Sequence, residues 1–176
     1  MKFCPDCGAP VRCTIPAGDH CLRHVCTACQ AIHYSNPKLV VGCVAEWEGR
    51  ILLCRRAIEP RLGYWTMPAG FMENGETTRQ GAARETLEES RAEVEVLGLV
   101  ALISIPHISQ VHLTYGARML QAEHGPTLES SEVRLFDEAD IPWEDLAFRT
   151  VQHSLRYYLE DRRSGCPQPH FLDLNP

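Results

Sequence analysis

No apolar run in this chain reaches the roughly 18 residues that a membrane span requires. The start, Met1-Lys2-Phe3-Cys4-Pro5, lacks the apolar stretch of a secretory signal. A basic surplus is missing too: 17 Lys and Arg stand against 23 Asp and Glu, a formal net charge of -6. Proteins that hold nucleic acid or a membrane surface by charge usually present a basic face, so neither partner is expected. There is no internal repeat. Acidity leaves phosphate chemistry open, because bound divalent cations can neutralise carboxylates. Nine cysteines in 176 residues would suggest disulfides in a secreted chain. The odd number and the missing signal point instead to a reducing, cytoplasmic setting.

Four of those cysteines are patterned. Cys4-Pro5-Asp6-Cys7 and Cys26-Thr27-Ala28-Cys29 are two CxxC pairs 18 residues apart, within the spacing of a zinc ribbon. Each CxxC turn can present two thiolates to one tetrahedral Zn²⁺, and a filled four-sulfur shell leaves no place for a reacting water. Structural zinc on Cys4, Cys7, Cys26 and Cys29 is the expectation; a redox dithiol is the competing use. Gly8 permits the tight knuckle after the first pair, whereas the second must manage with Gln30. Cys13, Cys21, Cys43, Cys54 and Cys166 read as ordinary small residues.

Residues 1–35 are too rich in Cys, Pro and Gly to bury a core unaided. From Lys38 the pattern changes. Leu39 to Trp47 and Ile51 to Cys54 read as strands of a hairpin around Glu48-Gly49. Gly63 to Gly75 is loop-like. Glu76 to Ser90 reads as a helix packing through Ala82, Ala83 and Leu87. Strands are expected at Glu93 to Ile105, Gln110 to Gln121 and Ser131 to Phe136, then a helix from the Ile141-Pro142-Trp143 turn to about Arg163. The three-proline end is expected to be irregular. The domain reading is therefore a ribbon over 1–35, a main domain over 36–165 and an irregular tail over 166–176. The order of elements favours α/β/α layering over a parallel βαβ array.

Glu85, Glu88 and Glu89 fall at i, i+3 and i+4 of that first helix, so they share a face. Like charges so placed repel, and hard cations such as Mg²⁺ or Mn²⁺ would reverse that cost. A solvated acidic face is the bland alternative. Around them, Gly70, Glu76, Arg84, Glu85, Glu88 and Glu89 match G-x5-E-x7-R-E-U-x-E-E-x-G-U at every acidic and basic place. On these residues the chain resembles a Nudix hydrolase. Thr86 stands where an aliphatic residue is usual, Arg91 where glycine is, and Ala92 where a large aliphatic is. The likeness extends to the ribbon, to Asn36-Pro37-Lys38, to Trp65-Thr66-Met67-Pro68-Ala69-Gly70 and to Glu132-Val133-Arg134-Leu135-Phe136. In these segments it resembles the zinc-ribbon branch, which includes relatives that split FAD and ADP-ribose.

The resemblance implies an α/β/α sandwich with a mixed sheet and metal-dependent cleavage of nucleoside diphosphate derivatives, ADP-ribose or FAD first, releasing AMP. It implies Glu85 and Glu89 as first Mg²⁺ or Mn²⁺ ligands, Glu88 beside them, and the Ala69 or Gly70 carbonyl completing the shell. Arg84 would pair with Glu76 to brace the loop. Tyr64, Trp65 and Phe71 are available for stacking on a base, and Glu132 for an extra ligand or base. His107 and His112 are weaker candidates for phosphate or ribose contacts. A dinucleotide pyrophosphatase of the NADH type is the alternative, although its Ser-Gln-Pro-Trp-Pro-Phe-Pro signature is replaced by Ser109-Gln110-Val111-His112-Leu113. A Nudix-fold sensor that binds without cleaving is the other; degenerate sensors usually lose box acids, and this chain keeps them. A homodimer is compatible with the resemblance.

Overall fold

The computed structural model describes residues 1–175, and these divide into two compact units that meet in sequence between Pro37 and Lys38. The first unit is a three-stranded antiparallel sheet of β1 (Val11–Thr14), β2 (Arg23–Cys26) and β3 (Ile32–His33). It buries little beyond Cys4, Val25 and Cys26, as its composition requires. The chain turns sharply after each CxxC pair. Gly8 adopts φ 74°, and Gln30, at the matching place, is forced to φ 61°.

The second unit begins with β4 (Lys38–Trp47) and β5 (Arg50–Arg56), joined by Glu48 and Gly49 at φ 49° and 82°. Two positive φ values in a two-residue turn match the right-handed twist of the hairpin, which is why glycine belongs there. Short strands β6 (Trp65–Thr66) and β7 (Ala69–Phe71) follow, then α1 (Thr78–Ser90). Next come β8 (Val94–Ile105), β9 (Gln110–Met119), β10 (Ser130–Phe136), α2 (Arg149–Ser164) and β11 (His170–Asp173). The sheet runs β10-β5-β4-β9-β8-β11, with β6 on β5 and β7 on β4. It is mixed: β4 with β9 and β8 with β11 are parallel, and the other pairs are antiparallel.

Alternation along β4 sorts the core into two layers. Val41, Cys43 and Ala45 pack with Ala82 of α1, while Val44 faces Val151, Leu155 and Leu159 of α2. The expected α/β/α sandwich is present, and it holds the two helices on opposite faces.

Three local expectations need correction. α1 starts at Thr78 rather than Glu76, because extended Thr77 caps it: Thr77 Oγ1 accepts the Gln80 N–H at 3.2 Å and Gln80 Oε1 accepts the Thr77 N–H at 2.8 Å. Leu87 does not pack inward; it is 47% exposed, and Gly81, Ala82 and Thr86 form the buried face. Thr86 is tolerated there because its hydroxyl donates back to Ala82 O at 2.8 Å. The end of the chain is not irregular throughout. Once Pro167 and Pro169 are passed, β11 pairs parallel with β8 at the sheet edge, where proline's missing donor no longer matters. Asp161 of α2 secures it, 3.0 Å from His170 Nε2 and accepting the Gln168 N–H at 3.2 Å.

Candidate functional site

Between α1, β7 and the loops before β6 and β10 lies a hollow of about 880 Å³ lined by Glu85, Glu88, Glu89, Arg84, Gly70 and Phe71, among others. The helix spacing delivers Glu85 and Glu89 to its floor, both buried, and leaves Glu88 at the open side. β7 passes directly over Glu85. A Cβ on Gly70 would overlap the Glu85 carboxylate, so only glycine lets the two approach.

Arg84 organises the cluster. Its Nε and Nη2 donate to the two Glu76 oxygens at 3.0 and 2.9 Å, a two-pronged pairing that holds the Glu76 carboxyl down at about 2. Glu76 also accepts the Glu73 N–H at 2.7 Å, and Arg84 reaches the Phe71 carbonyl at 3.2 Å. The loop and the helix are thereby tied together. Arg84 Nη1 donates to Glu85 at 2.8 Å and Glu88 at 3.0 Å.

Glu89 is different. It accepts the Ala69 N–H at 3.2 Å and pairs with no Lys or Arg among the described residues. Burial pushes its carboxyl up to about 8, with the charges of Glu85 and Glu129 adding and Arg56 opposing. Burial raises Glu85 as well, against the pull of Arg84. A buried, unpaired carboxylate among like charges costs stability by itself, and a hard divalent cation is the partner whose chemistry suits an all-oxygen donor set. In donor chemistry the residues present fit such an ion.

The remaining expected residues separate. Phe71 lines the hollow, with Lys38 Nζ 4.8 Å from its ring centroid. Tyr64 is not among the lining residues; Arg61 stacks on its ring at 5.4 Å. Trp65 is corrected from a stacking residue to a core one: it is 8% exposed and meets Phe136 edge-on at 4.9 Å. Glu132 does not line the hollow either. Period-two alternation in β10 places it with Arg134 and Phe136, opposite to Val133, and it sits 3.6 Å from Arg55 and 3.7 Å from Arg134.

Glu129 and Arg56 are among the lining residues that no sequence pattern marks. Neither has a motif around it. The pairing of β10 with β5 brings both to the hollow, with Ala57 N donating to Glu129 O at 2.8 Å.

In the ribbon, the sulfurs of Cys4, Cys7, Cys26 and Cys29 lie within 4.8 Å of one another, with contacts of 3.4 to 3.8 Å. Tetrahedral Zn–S bonds of about 2.3 Å set sulfurs about 3.8 Å apart, so the cluster fits zinc. The Cys29 and Ala28 amides, each 3.4 Å from Cys26 Sγ, bring that thiol down to about 6 despite some desolvation.

Comparison with known proteins adds to this geometry. The chain resembles a NUDIX hydrolase from Nitrosomonas europaea of known crystal structure, at 53% identity over 100% of both chains with a TM-score of 0.97. It is 34% identical over 115 residues to an ADP-ribose pyrophosphatase of Methanocaldococcus jannaschii, covering 62% of this chain and 67% of that one. It is 37% identical over 99 residues to the NAD-capped RNA hydrolase NudC of Edwardsiella ictaluri, covering 56% of this chain. The chain spans only 37% of that relative's length. Residues 2–35 match the Nudix N-terminal zinc-ribbon family. Because the NUDIX domain family is matched over residues 36–162, well over half of the sequence, this chain belongs to that family.

Proposed function

We propose that the protein hydrolyses the diphosphate bond of nucleoside diphosphate derivatives, ADP-ribose or FAD foremost, releasing AMP. The observation that carries this reading is the Arg84–Glu76 brace, which ties the loop to α1 while Glu85, Glu88 and Glu89 all line one hollow. Mg²⁺ or Mn²⁺ would be held by Glu85 and Glu89, with Glu88 and the Ala69 or Gly70 carbonyl beside them. When bound, it supplies neutralisation of the diphosphate charge and activation of the attacking water.

The chain's own groups do the rest. One of the three glutamates accepts the proton of the incoming water, and the new O–P bond forms as the bridging P–O bond breaks; the Ala69 N–H fixes Glu89 Oε2 in place. Glu129 faces the same carboxylates and adds to the field that keeps protons and cations there. Arg84 is a positioning residue. In the ribbon, Zn²⁺ on the four cysteines serves structure alone.

A dinucleotide reading of the NADH type stays beside this one, since a relative of Stutzerimonas stutzeri named NAD-capped RNA hydrolase NudC, a name that carries the same NAD moiety, is 29% identical over 174 residues, covering 96% of this chain and 59% of that one. The test is AMP release from ADP-ribose, FAD and NADH with Mg²⁺ or Mn²⁺, compared by kcat/KM. Cleavage abolished by EDTA and restored by the added ion is expected. Tight binding of all three without product would convert the reading into a sensor.

A further inference from the structure

A second hollow, of about 520 Å³, opens on the other face of the same sheet end, where β8 finishes, β9 begins and α2 starts. The register places it. His112 of β9 lies beside Val40 of β4, and Val40 beside Phe71 of β7, which lines the acidic hollow. Pro60 lines both hollows. Arg56 links them: its Nε donates to Pro60 O at 2.7 Å, its guanidinium sits 5.2 Å from the Phe148 ring centroid, and it lines the acidic hollow near Glu89.

The walls are largely apolar, from Pro60, Ile105, Phe148 and Leu174. The polar groups that β9 presents there are neutral. Gln110 and His112 share a face of β9, and His112 Nε2 donates to Gln110 Oε1 at 2.9 Å. That bond leaves the Gln110 amide N–H groups as donors and His112 Nδ1 as an acceptor. Burial pulls His112 down to about 4, so the ring carries no charge at neutral pH. The arginines that line it, Arg61 and Arg149, are both exposed. Flat apolar walls with a neutral donor–acceptor edge suit a fused heterocycle far better than an anion.

We propose that this second hollow binds the adenine end of the diphosphate substrate, with Gln110 and His112 reading the edge of the base and Arg56 spanning to the phosphates. This rests on the hydrolase reading for the substrate, while the pocket itself is tested by binding alone. The probe is AMP, titrated calorimetrically into the wild-type protein and into Gln110→Leu and His112→Leu. Affinity is expected to fall about tenfold or more in each variant, as when a buried polar edge loses its partner. Binding of inorganic pyrophosphate with Mn²⁺ should stay within about twofold. Should a variant fail to fold, the imidazole resonances of wild-type His112 serve instead. They should shift on addition of AMP and stay put with pyrophosphate. AMP that does not bind the wild type, variants that lose AMP and pyrophosphate alike, or a His112 signal indifferent to AMP would each overturn the proposal. Dependence of AMP binding on Gln110 and His112 without cleavage of any diphosphate would support the pocket and sink the hydrolase reading.

Discussion

The ribbon and the acidic hollow gather donor atoms in opposite ways. Cys4, Cys7, Cys26 and Cys29 bring four soft donors together with no Lys or Arg hydrogen-bonded to them among the described residues, His33 Nε2 lying 3.3 Å from Cys4 Sγ, and little buried surface surrounds them. The hollow carries its own cation: Arg84 takes Glu76, Glu85 and Glu88, and α1 packs on a full core layer. One arrangement is expected to need a metal in order to fold. The other is folded by its apolar layer and its internal arginine, and would use metal only for chemistry.

Removing zinc should therefore have the largest effect and a local one. Structural zinc in small peptides contributes on the order of 10 kcal/mol. A strong chelator, or Cys26→Ser, is expected to erase amide protection across residues 1–35 and leave that of β4, β5, β8 and β9 in place, as read by hydrogen exchange. Equal loss across the two units would break the contrast.

Next in size comes the chemistry. Glu89→Gln and Glu85→Gln should each cut kcat by roughly 100-fold or more with Mg²⁺ or Mn²⁺, while circular dichroism and thermal unfolding show a folded body. Near wild-type turnover in both would remove the carboxylates from the mechanism.

The unequal treatment of the glutamates also sets a pH dependence. Glu89 has an ordinary value of 4.5 and a folded value of about 8. The folded state thus holds its proton more tightly, and stability falls as pH rises from 4.5 to about 8. In buffer free of Mg²⁺ and Mn²⁺, denaturation of the wild type should become easier across that window, by an amount on the order of a few kcal/mol. Glu89→Gln should flatten the curve and be the more stable protein above pH 8. A wild-type curve that rises through the same window would refute the assignment.

What could be read in advance follows from the same contrast. Gly70, Glu76 and Arg84 are tied by contacts within one loop and one helix, so spacing alone conveys them, as it does the two CxxC turns. Trp65 and Glu132 could not be placed that way. Whether a strand residue faces the hollow depends on register, and the pairing of β10 with β5 turned Glu132 outward while delivering Glu129 and Arg56. Leu87 misled because the face of α1 toward the sheet is built from small residues, which bring helix and sheet close enough for Gly70 to lie on Glu85. β11 escaped notice because four residues after two prolines carry no periodic signal, and its stability comes from β8 and Asp161.

The smallest effects separate the two units once more, through the left-handed positions that glycine does not fill. Gln30 closes the second knuckle at φ 61° and Arg91 ends α1 at φ 60°, its N–H donating to Leu87 O at 2.8 Å. A non-glycine residue held there costs about 1–2 kcal/mol, part of which glycine gives back through its greater freedom when unfolded. Arg91→Gly should therefore raise the stability of the body by roughly 0.5 kcal/mol in chemical denaturation. Gln30→Gly should act on the ribbon alone, slowing exchange in β1 and β2 without moving the main transition, although it gives up the 3.3 Å bond from Gln30 Nε2 to Thr27 O. Gly75, at φ 89° in the loop before α1, supplies the opposite sign: Gly75→Ala should destabilise the body by about 1 kcal/mol. If Arg91→Gly and Gly75→Ala shift the transition in the same direction, backbone strain is not what distinguishes these positions.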